Sequence, residues 1–403
     1  MMTRVSLLSS TALAAAAIVL AGAPSSAASL DALEKRVKAL EKAGAGRSVS
    51  RSKRTMKLTV SGHLNRMVQL VDNGVNSEFR HVTNQQSRSR VRWVGTGKLS
   101  DDISVRTLIE FGNSDAISSS QSIAGAEVNG AAFDTRHIDL QLTSKTMGKL
   151  YIGHGSDAAD SIQGHTDLSG TLVALSGAGD EDLSFADENF VFGTGANIAA
   201  GTSSRVDNFN DELDGTRDDR IRYDTPSIGG FRASISHANK DVVAGAIRYA
   251  GSFSGVKVKA GFAHIHNEAG AGATVQGIAQ QRNVNTGGVG ILLPMGLSFQ
   301  VQVGERDLDT VGRNDPTTQF YRIGYRFKAS ELGETRLAAS YHNAEDYSAN
   351  GDDLEIMSVA VVQIIEPLGA ELYASYSNLD LERTGVVGIE DIDVVSIGMR
   401  VKF

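Results

Sequence analysis

Arg88, Arg90 and Arg92 occupy every second position, with Ser89, Val91 and Trp93 between and beyond them. In an extended strand this spacing stacks three guanidinium groups on one face. Arginine keeps its charge at any accessible pH, and desolvating such a stack in a core would be prohibitive. The stack therefore needs water in front of it and carboxylates nearby. Arg106 and Glu110 share one face of the next segment, where Glu110 can pair with a neighbouring arginine, and Arg220 and Arg222 repeat the alternation further on. The opposing charge is concentrated between Asp157 and Phe190. That stretch holds Asp157, Asp160, Asp167, Asp180, Glu181, Asp182, Asp187 and Glu188 and no lysine or arginine. A basic wall (Arg88, Arg90, Arg92, Arg106, Arg220, Arg222) facing an acidic side (Glu110, Asp180, Glu181, Asp182, Asp187, Glu188) would set a transverse field across a water-filled passage. Such a field orients dipolar solutes and selects weakly by charge.

Bond-making chemistry has little support. The nine histidines are scattered, and no nucleophile elbow, zincin motif or phosphate loop occurs. His264 and His266 read as an ordinary strand-end pair. With no cysteine, disulfides and thiolate metal sites are excluded. Asp180, Glu181 and Asp182 could hold a divalent cation, but their spacing is not that of an EF-hand. No other cofactor is implied. The formal charge of −8 excludes the basic footprint of a nucleic-acid binder.

The elements that must position these charges follow from the hydropathy pattern. Residues 1–28 read as an export signal: Arg4, an apolar run from Val5 to Leu20, and small residues at Ser26 and Ala28 before a cleavage site. A membrane anchor is the plainer reading. Over residues 29–43, Leu30, Leu33, Val37 and Leu40 form the seam of a short heptad helix. Two heptads are too short to stand alone, so the seam calls for several chains together or a docking surface. A frayed amphipathic helix is the alternative. Residues 44–55 form a Gly/Ser/Arg linker.

From Met56 to Phe403 the period is two. Leu58, Val60, Gly62, Leu64, Val68 and Leu70 alternate with Lys57, Thr59, Ser61, His63, Asn65 and Gln69, and only Arg66 breaks the apolar face. Val395, Ile397, Met399, Val401 and Phe403 alternate with Ser396, Gly398, Arg400 and Lys402. Strands of ~9–11 residues with this pattern suit a transmembrane barrel, lipid outside and water inside. On this parity an arginine at Ile397 would meet lipid and one at Ser396 would meet water. A soluble sandwich would need shorter strands and a uniformly apolar inner face. Short turns at Ser100–Asp102, Met147–Gly148, Pro226–Gly229, Ser252–Ser254, Pro294–Gly296, Ser330–Gly333 and Glu366–Gly369 alternate with longer connections such as Asp72–Ser87, Gly112–Ala132, Ser156–Arg217 and Asn267–Asn283. Counted this way the chain makes an all-β antiparallel barrel of sixteen strands, with both ends on the short-turn rim and a third long loop over about 156–217.

The chain resembles the Gram-negative general diffusion porins, most closely those of alphaproteobacteria. The resemblance covers Met56 to Phe403 and rests on Leu58–Arg66, Ser87–Arg92, Gly148–Gly153, Arg220–Pro226 and the terminal Phe403. It implies a homotrimer of sixteen-stranded barrels in the bacterial outer membrane, with the third long loop folded into the lumen, and passive diffusion of small hydrophilic solutes and ions. Phe403 would be the signal read by the barrel assembly machinery. Lipopolysaccharide and outer-membrane lipid are the implied surroundings, with peptidoglycan a further contact for the basic linker and heptad segment. The acidic loop could instead bind divalent cations that bridge lipopolysaccharide. The overall acidity points to a weak preference for cations. The competing functions are a substrate-specific channel for anions, sugars or amino acids, and an envelope-anchoring structural barrel.

Overall fold

The computed structural model describes residues 56–120, 133–175, 192–194, 205–210, 213–267, 274–275, 278–279, 283–308 and 310–403. The export segment, the linker, the seam residues Leu30, Leu33, Val37 and Leu40, and the loop carboxylates Asp180, Glu181, Asp182, Asp187 and Glu188 lie outside these residues.

The period-two pattern is realised as sixteen staves. They are β1 (Lys57–Asp72), β2 in two pieces (Ser77–Thr83 and Arg90–Lys98), β3 (Ile103–Asn113), β4 (Phe133–Ser144), β5 (Gly148–Ser156), β6 (Arg217–Asp224), β7 (Phe231–Ala238), β8 (Val242–Phe253), β9 (Val256–Asn267), β10 (Asn283–Leu292), β11 (Leu297–Asp307), β12 (Thr317–Ser330), β13 (Gly333–Glu345), β14 (Asp352–Ile365), β15 (Ala370–Arg383) and β16 (Ile392–Lys402). Each pairs antiparallel with the next, and β16 returns to β1, with Val401 opposite Leu64 and Val395 opposite Leu70. Closure removes the sheet edge that hydrocarbon cannot solvate. The last residue completes the seam: Phe403 N donates to Gly62 O at 3.0 Å, and Gly62 N donates to Phe403 O at 2.9 Å.

Exposure is inverted relative to a soluble protein. On β1, Leu64 is 63% exposed and Leu70 50%, while Asn65 and Gln69 are fully buried inside. On β16 Ile397 points out and Ser396 in. Large apolar side chains outside and polar ones inside are favourable only when hydrocarbon surrounds the barrel.

The connections depart from the sequence expectation in two places. Asp72–Ser87 is not one long loop. Asn73 Oδ1 accepts from Val75 N and Asn76 N (3.2 and 2.9 Å) and tightens a turn. Ser77–Thr83 then pairs with the upper half of β1. The chain leaves the wall at Asn84, makes a 3₁₀ turn over Gln85–Ser87, and rejoins the wall at Arg90, opposite His63. Nor is the long-loop rim uniformly elaborated. Residues 239–241 alone join β7 to β8, and residues 346–351 join β13 to β14.

The connection from β5 to β6 enters the lumen. Its one-turn helix α1 (Ile162–Thr166) packs on β9 and β10. Glycine makes the approach feasible: a Cβ at Gly290 would fall 1.8 Å from Thr166 O, and one at Gly324 would fall 2.7 Å from Ser169 Cβ. Further along, Val173, Leu175, Phe192, Val206, Phe209 and Leu213 meet inward-facing Val71, Leu354, Ile356, Leu379, Leu381 and Val394 in a buried apolar cluster. One side of the lumen is therefore dry. A lumen lined throughout by polar faces, as the alternation predicts, is corrected here. In the upper parts of β14–β16 the inner face is the apolar one, with Leu354, Ile356, Leu379, Leu381 and Val394, because the loop, not water, covers it.

Candidate functional site

Next to that core around the barrel, β2–β6 carry a wall of charge. Glu110 on β3 is directly opposite Arg92 in register. It accepts hydrogen bonds from Arg90 Nη1 at 3.2 Å and Arg136 Nε at 2.8 Å, and Arg92 Nε lies 2.7 Å away as an ion pair. Arg88 Nη1 lies 2.8 Å from Asp134 Oδ2. Four guanidinium groups thus share two carboxylates, which leaves the cluster net positive. The Glu110 side chain is only 5% exposed, whereas Arg92 and Asp134 keep 37% and 42% of theirs open. The cluster is anchored at its centre and wet at its surface.

Arg90 and Arg92 stand on the strand as the alternation predicts, but Arg88 sits on the inward excursion before it. Glu110, placed by sequence with the acidic side, lies within the basic wall as its counter-ion. Arg106, opposite Thr96 and Gln141, stands four residues nearer the short-turn rim, outside the cluster. Arg220 and Arg222 extend the wall along β6, each with its own carboxylate: Arg220 Nη2 to Asp139 Oδ2 at 2.8 Å and Arg222 Nε to Asp224 Oδ1 at 2.7 Å. Tyr151 lies beside both, its ring centre 5.5 and 5.3 Å from the two guanidinium carbons. The carboxylates Asp180, Glu181, Asp182, Asp187 and Glu188 fall outside the described residues.

Arg136, Asp134 and Asp139 escaped the sequence reading. The register slips between Glu110 and Phe111, which face His137 and Thr135, so Arg136 is the extra residue of a bulge. A bulge turns two consecutive side chains to one side. The signal was the break in charge parity from Asp134 and Arg136 to Asp139.

Other wall arginines act as clamps on the lumenal loop. Arg222 Nη1 donates to Asp157 O (2.6 Å), Arg248 to Ala158 O (2.9 Å) and Asp160 O (2.8 Å), Arg336 to Gly170 O (3.0 Å), and Arg322 to Leu175 O (3.2 Å). Two loop carboxyls hold its root. Asp157 accepts from the backbone N–H groups of Ala159, Asp160 and Thr216, and Asp214 from those of Ile162, Gln163 and Gly215. Burial, with the Asp160 charge nearby, pushes the Asp214 carboxyl up to about 8 despite its three N–H donors. Burial also raises Asp157. Among the described residues, no group of three or more His, Asp or Glu could hold a metal ion.

A closed barrel with an apolar outer belt, an inward loop and a wall of charge defines a transmembrane channel. The chain belongs to the Gram-negative porin family, whose sequence profile matches residues 11–384. It is an outer-membrane protein and a diffusion channel. No curated protein matches it in sequence. The fold is similar to the anion-selective porin from Comamonas acidovorans, with 16% identity, a TM-score of 0.55, and coverage of 86% of this chain and 100% of that one. It is also similar to the in-vitro folded outer-membrane protein OmpT of Vibrio cholerae in its trimer form (12% identity, TM-score 0.52, 86% and 99% covered). Salmonella typhi OmpF in complex with daunomycin is likewise similar (13% identity, TM-score 0.52, 86% and 98% covered).

Proposed function

We propose that the passage between the β2–β6 wall and the lumenal loop is the constriction, and that it admits small hydrophilic solutes by size and, weakly, by charge. The observation that carries this reading is the Glu110 cluster: four guanidinium groups on two carboxylates, with Arg92 and Asp134 open to the lumen. The lumen beside that wall is taken up by the clamped loop and its apolar core. Asp180, Glu181, Asp182, Asp187 and Glu188 supply the opposing charge in this reading. The acidity of the whole chain led to an expected cation preference, but the described wall has the opposite local balance and attracts anions. Liposome swelling by sugars of graded size tests the proposal. Rates should fall steeply with solute size and show no saturation. Saturable uptake of one solute class would replace it with a substrate-specific channel.

The unit is a homotrimer, a reading supported by family membership and by the trimer form of the Vibrio protein. Residues 1–28 are removed on export, and the Leu30, Leu33, Val37 and Leu40 seam brings copies of the chain together in this reading. Unheated samples should migrate well above the 42.6 kDa precursor mass and collapse on boiling. Removing residues 29–43 should weaken the trimer without abolishing it, and a monomeric mass in mild detergent would defeat the idea. Lipopolysaccharide and lipid surround the barrel, divalent cations and peptidoglycan being further partners of the acidic loop and basic linker.

A further inference from the structure

The break in stave β2 is the feature that the channel reading leaves unused. A continuous strand would have kept Asn84–Ser89 in the wall. Instead Asn84 is fully buried within the barrel, where Asn84 Nδ2 donates to Val173 O of the lumenal loop at 2.8 Å and to Tyr373 Oη of β15 at 2.9 Å. Tyr373 Oη in turn donates to Asn65 Oδ1 at 2.8 Å, and Asn65 Nδ2 donates to Ser87 O at 3.0 Å. Gln86 N donates to Asn84 Oδ1 at 2.9 Å, which fixes the amide so that both its protons face the loop and the tyrosine. Tyr373 can lie this low only because position 398 is glycine: a Cβ there would fall 2.3 Å from Tyr373 Oη.

We infer that residues 84–89 are a second jaw of the constriction, and that Asn84 is a positioning residue that fixes the Gly170–Leu175 stretch of the lumenal loop. The inference rests on the constriction lying between the β2–β6 wall and that loop. The loop's root is held near Asp157 and Asp214. Arg336 and Arg322 hold Gly170 and Leu175 through their backbone carbonyls, and between them Asn84 ties Val173 to the excursion that also carries Arg88. One amide therefore sets both the gap between loop and wall and the place of Arg88, whose guanidinium is bound to Asp134. In a dry site a donor without its acceptor is costly, so the clasp stays shut while its hydrogen-bond partners are present.

The test uses the full-length trimer carrying Asn84→Ala and, separately, the milder Tyr373→Phe, which removes only the hydroxyl between Asn84 and Asn65. Swelling rates are read for a pentose, a disaccharide and a tetrasaccharide. Both variants should raise the rate for the largest sugar severalfold relative to the pentose, with Asn84→Ala the stronger, at unchanged heat-modifiable trimer content. A size ratio equal to wild type in both, with trimers intact, would overturn the inference. Should Asn84→Ala fail to assemble, the Tyr373→Phe ratio decides alone. Wild-type protein that admits no sugar at all would instead sink the channel reading, so the two failures are distinguishable.

Discussion

Arg136 Nε lies 2.8 Å from Glu110 Oε1, and the two meet because the β3–β4 register slips at that point. Without the bulge, Arg136 and His137 would point to opposite faces. With it, both turn inward, and Glu110 gains a third guanidinium beside Arg90 and Arg92. The bulge thus couples a backbone irregularity to the charge of the channel.

Glu110→Gln should therefore do two things. It leaves three guanidinium groups around an uncharged amide, which should cost about 3 kcal/mol of barrel stability, as for other buried ion pairs broken on one side. It should also shift selectivity toward anions. Urea unfolding followed by heat-modifiable migration reads the first, and reversal potential under a salt gradient reads the second. An unchanged reversal potential in folded protein would place the cluster outside the conduction path.

Replacing Arg88, Arg90 and Arg92 by Ser should shift the reversal potential toward cations and raise conductance. Neutralising Asp180, Glu181, Asp182, Asp187 and Glu188 should shift it the other way. Both shifts should shrink in 1 M salt, where the screening length falls to ~3 Å. If neither set moves the potential while trimers persist, the constriction lies elsewhere.

Ile397, 52% exposed in the middle of β16, faces lipid, and Ile397→Arg should cost ~2–4 kcal/mol. The expectation that an arginine at Ser396 meets water is corrected. Ser396 does turn inward, but it is fully buried and accepts Gln69 Nε2 at 3.1 Å. Ser396→Arg should therefore also destabilise, by overpacking, while Ser396→Ala should cost about 1 kcal/mol for the lost hydrogen bond. A penalty for Ile397→Arg well under 1 kcal/mol in detergent unfolding would mean that this face meets water.

Loop docking should depend on pH through Asp214. Its folded value, about 8, lies above that of a free aspartate, so the docked loop holds a proton that the released loop gives up. Docking is then strongest below the free value of ~3.9 and weakens as pH rises through the folded value. Asp160 repels the ionised form, while Arg248 and the three N–H donors partly offset that repulsion. Open-channel current noise should grow between pH 5 and pH 9, and Asp214→Asn should flatten the trend. Noise that rises equally in both proteins would assign the effect to other groups.

Phe403 closes the seam with Gly62 through two backbone hydrogen bonds. Its deletion should lower outer-membrane yield and raise periplasmic aggregate, measured by fractionation. Normal yield would show that neither the seam nor an aromatic terminus governs assembly.

Much of this molecule was legible in one dimension because a barrel strand's two faces meet different solvents. The alternation of Leu64 and Leu70 with Asn65 and Gln69 and the short turns between longer connections determined the strand count, the parity and the inward face of Arg90 and Arg92. That information is local, with a period of two residues. What the tertiary structure decided is everything that depends on residues meeting across the lumen. The β2 break and the burial of Ser396 are seen only in the assembled barrel, and the apolar core around Leu354 and Leu379 and the Arg248, Arg322 and Arg336 clamps arise because a loop from one side of the barrel packs on distant staves. Its partners lie more than a hundred residues away in sequence for Arg322 and Arg336. Glu110 shows the division most clearly: its inward face and its pairing with a neighbouring arginine follow from parity, but its third guanidinium, Arg136, follows from a one-residue bulge in the neighbouring strand.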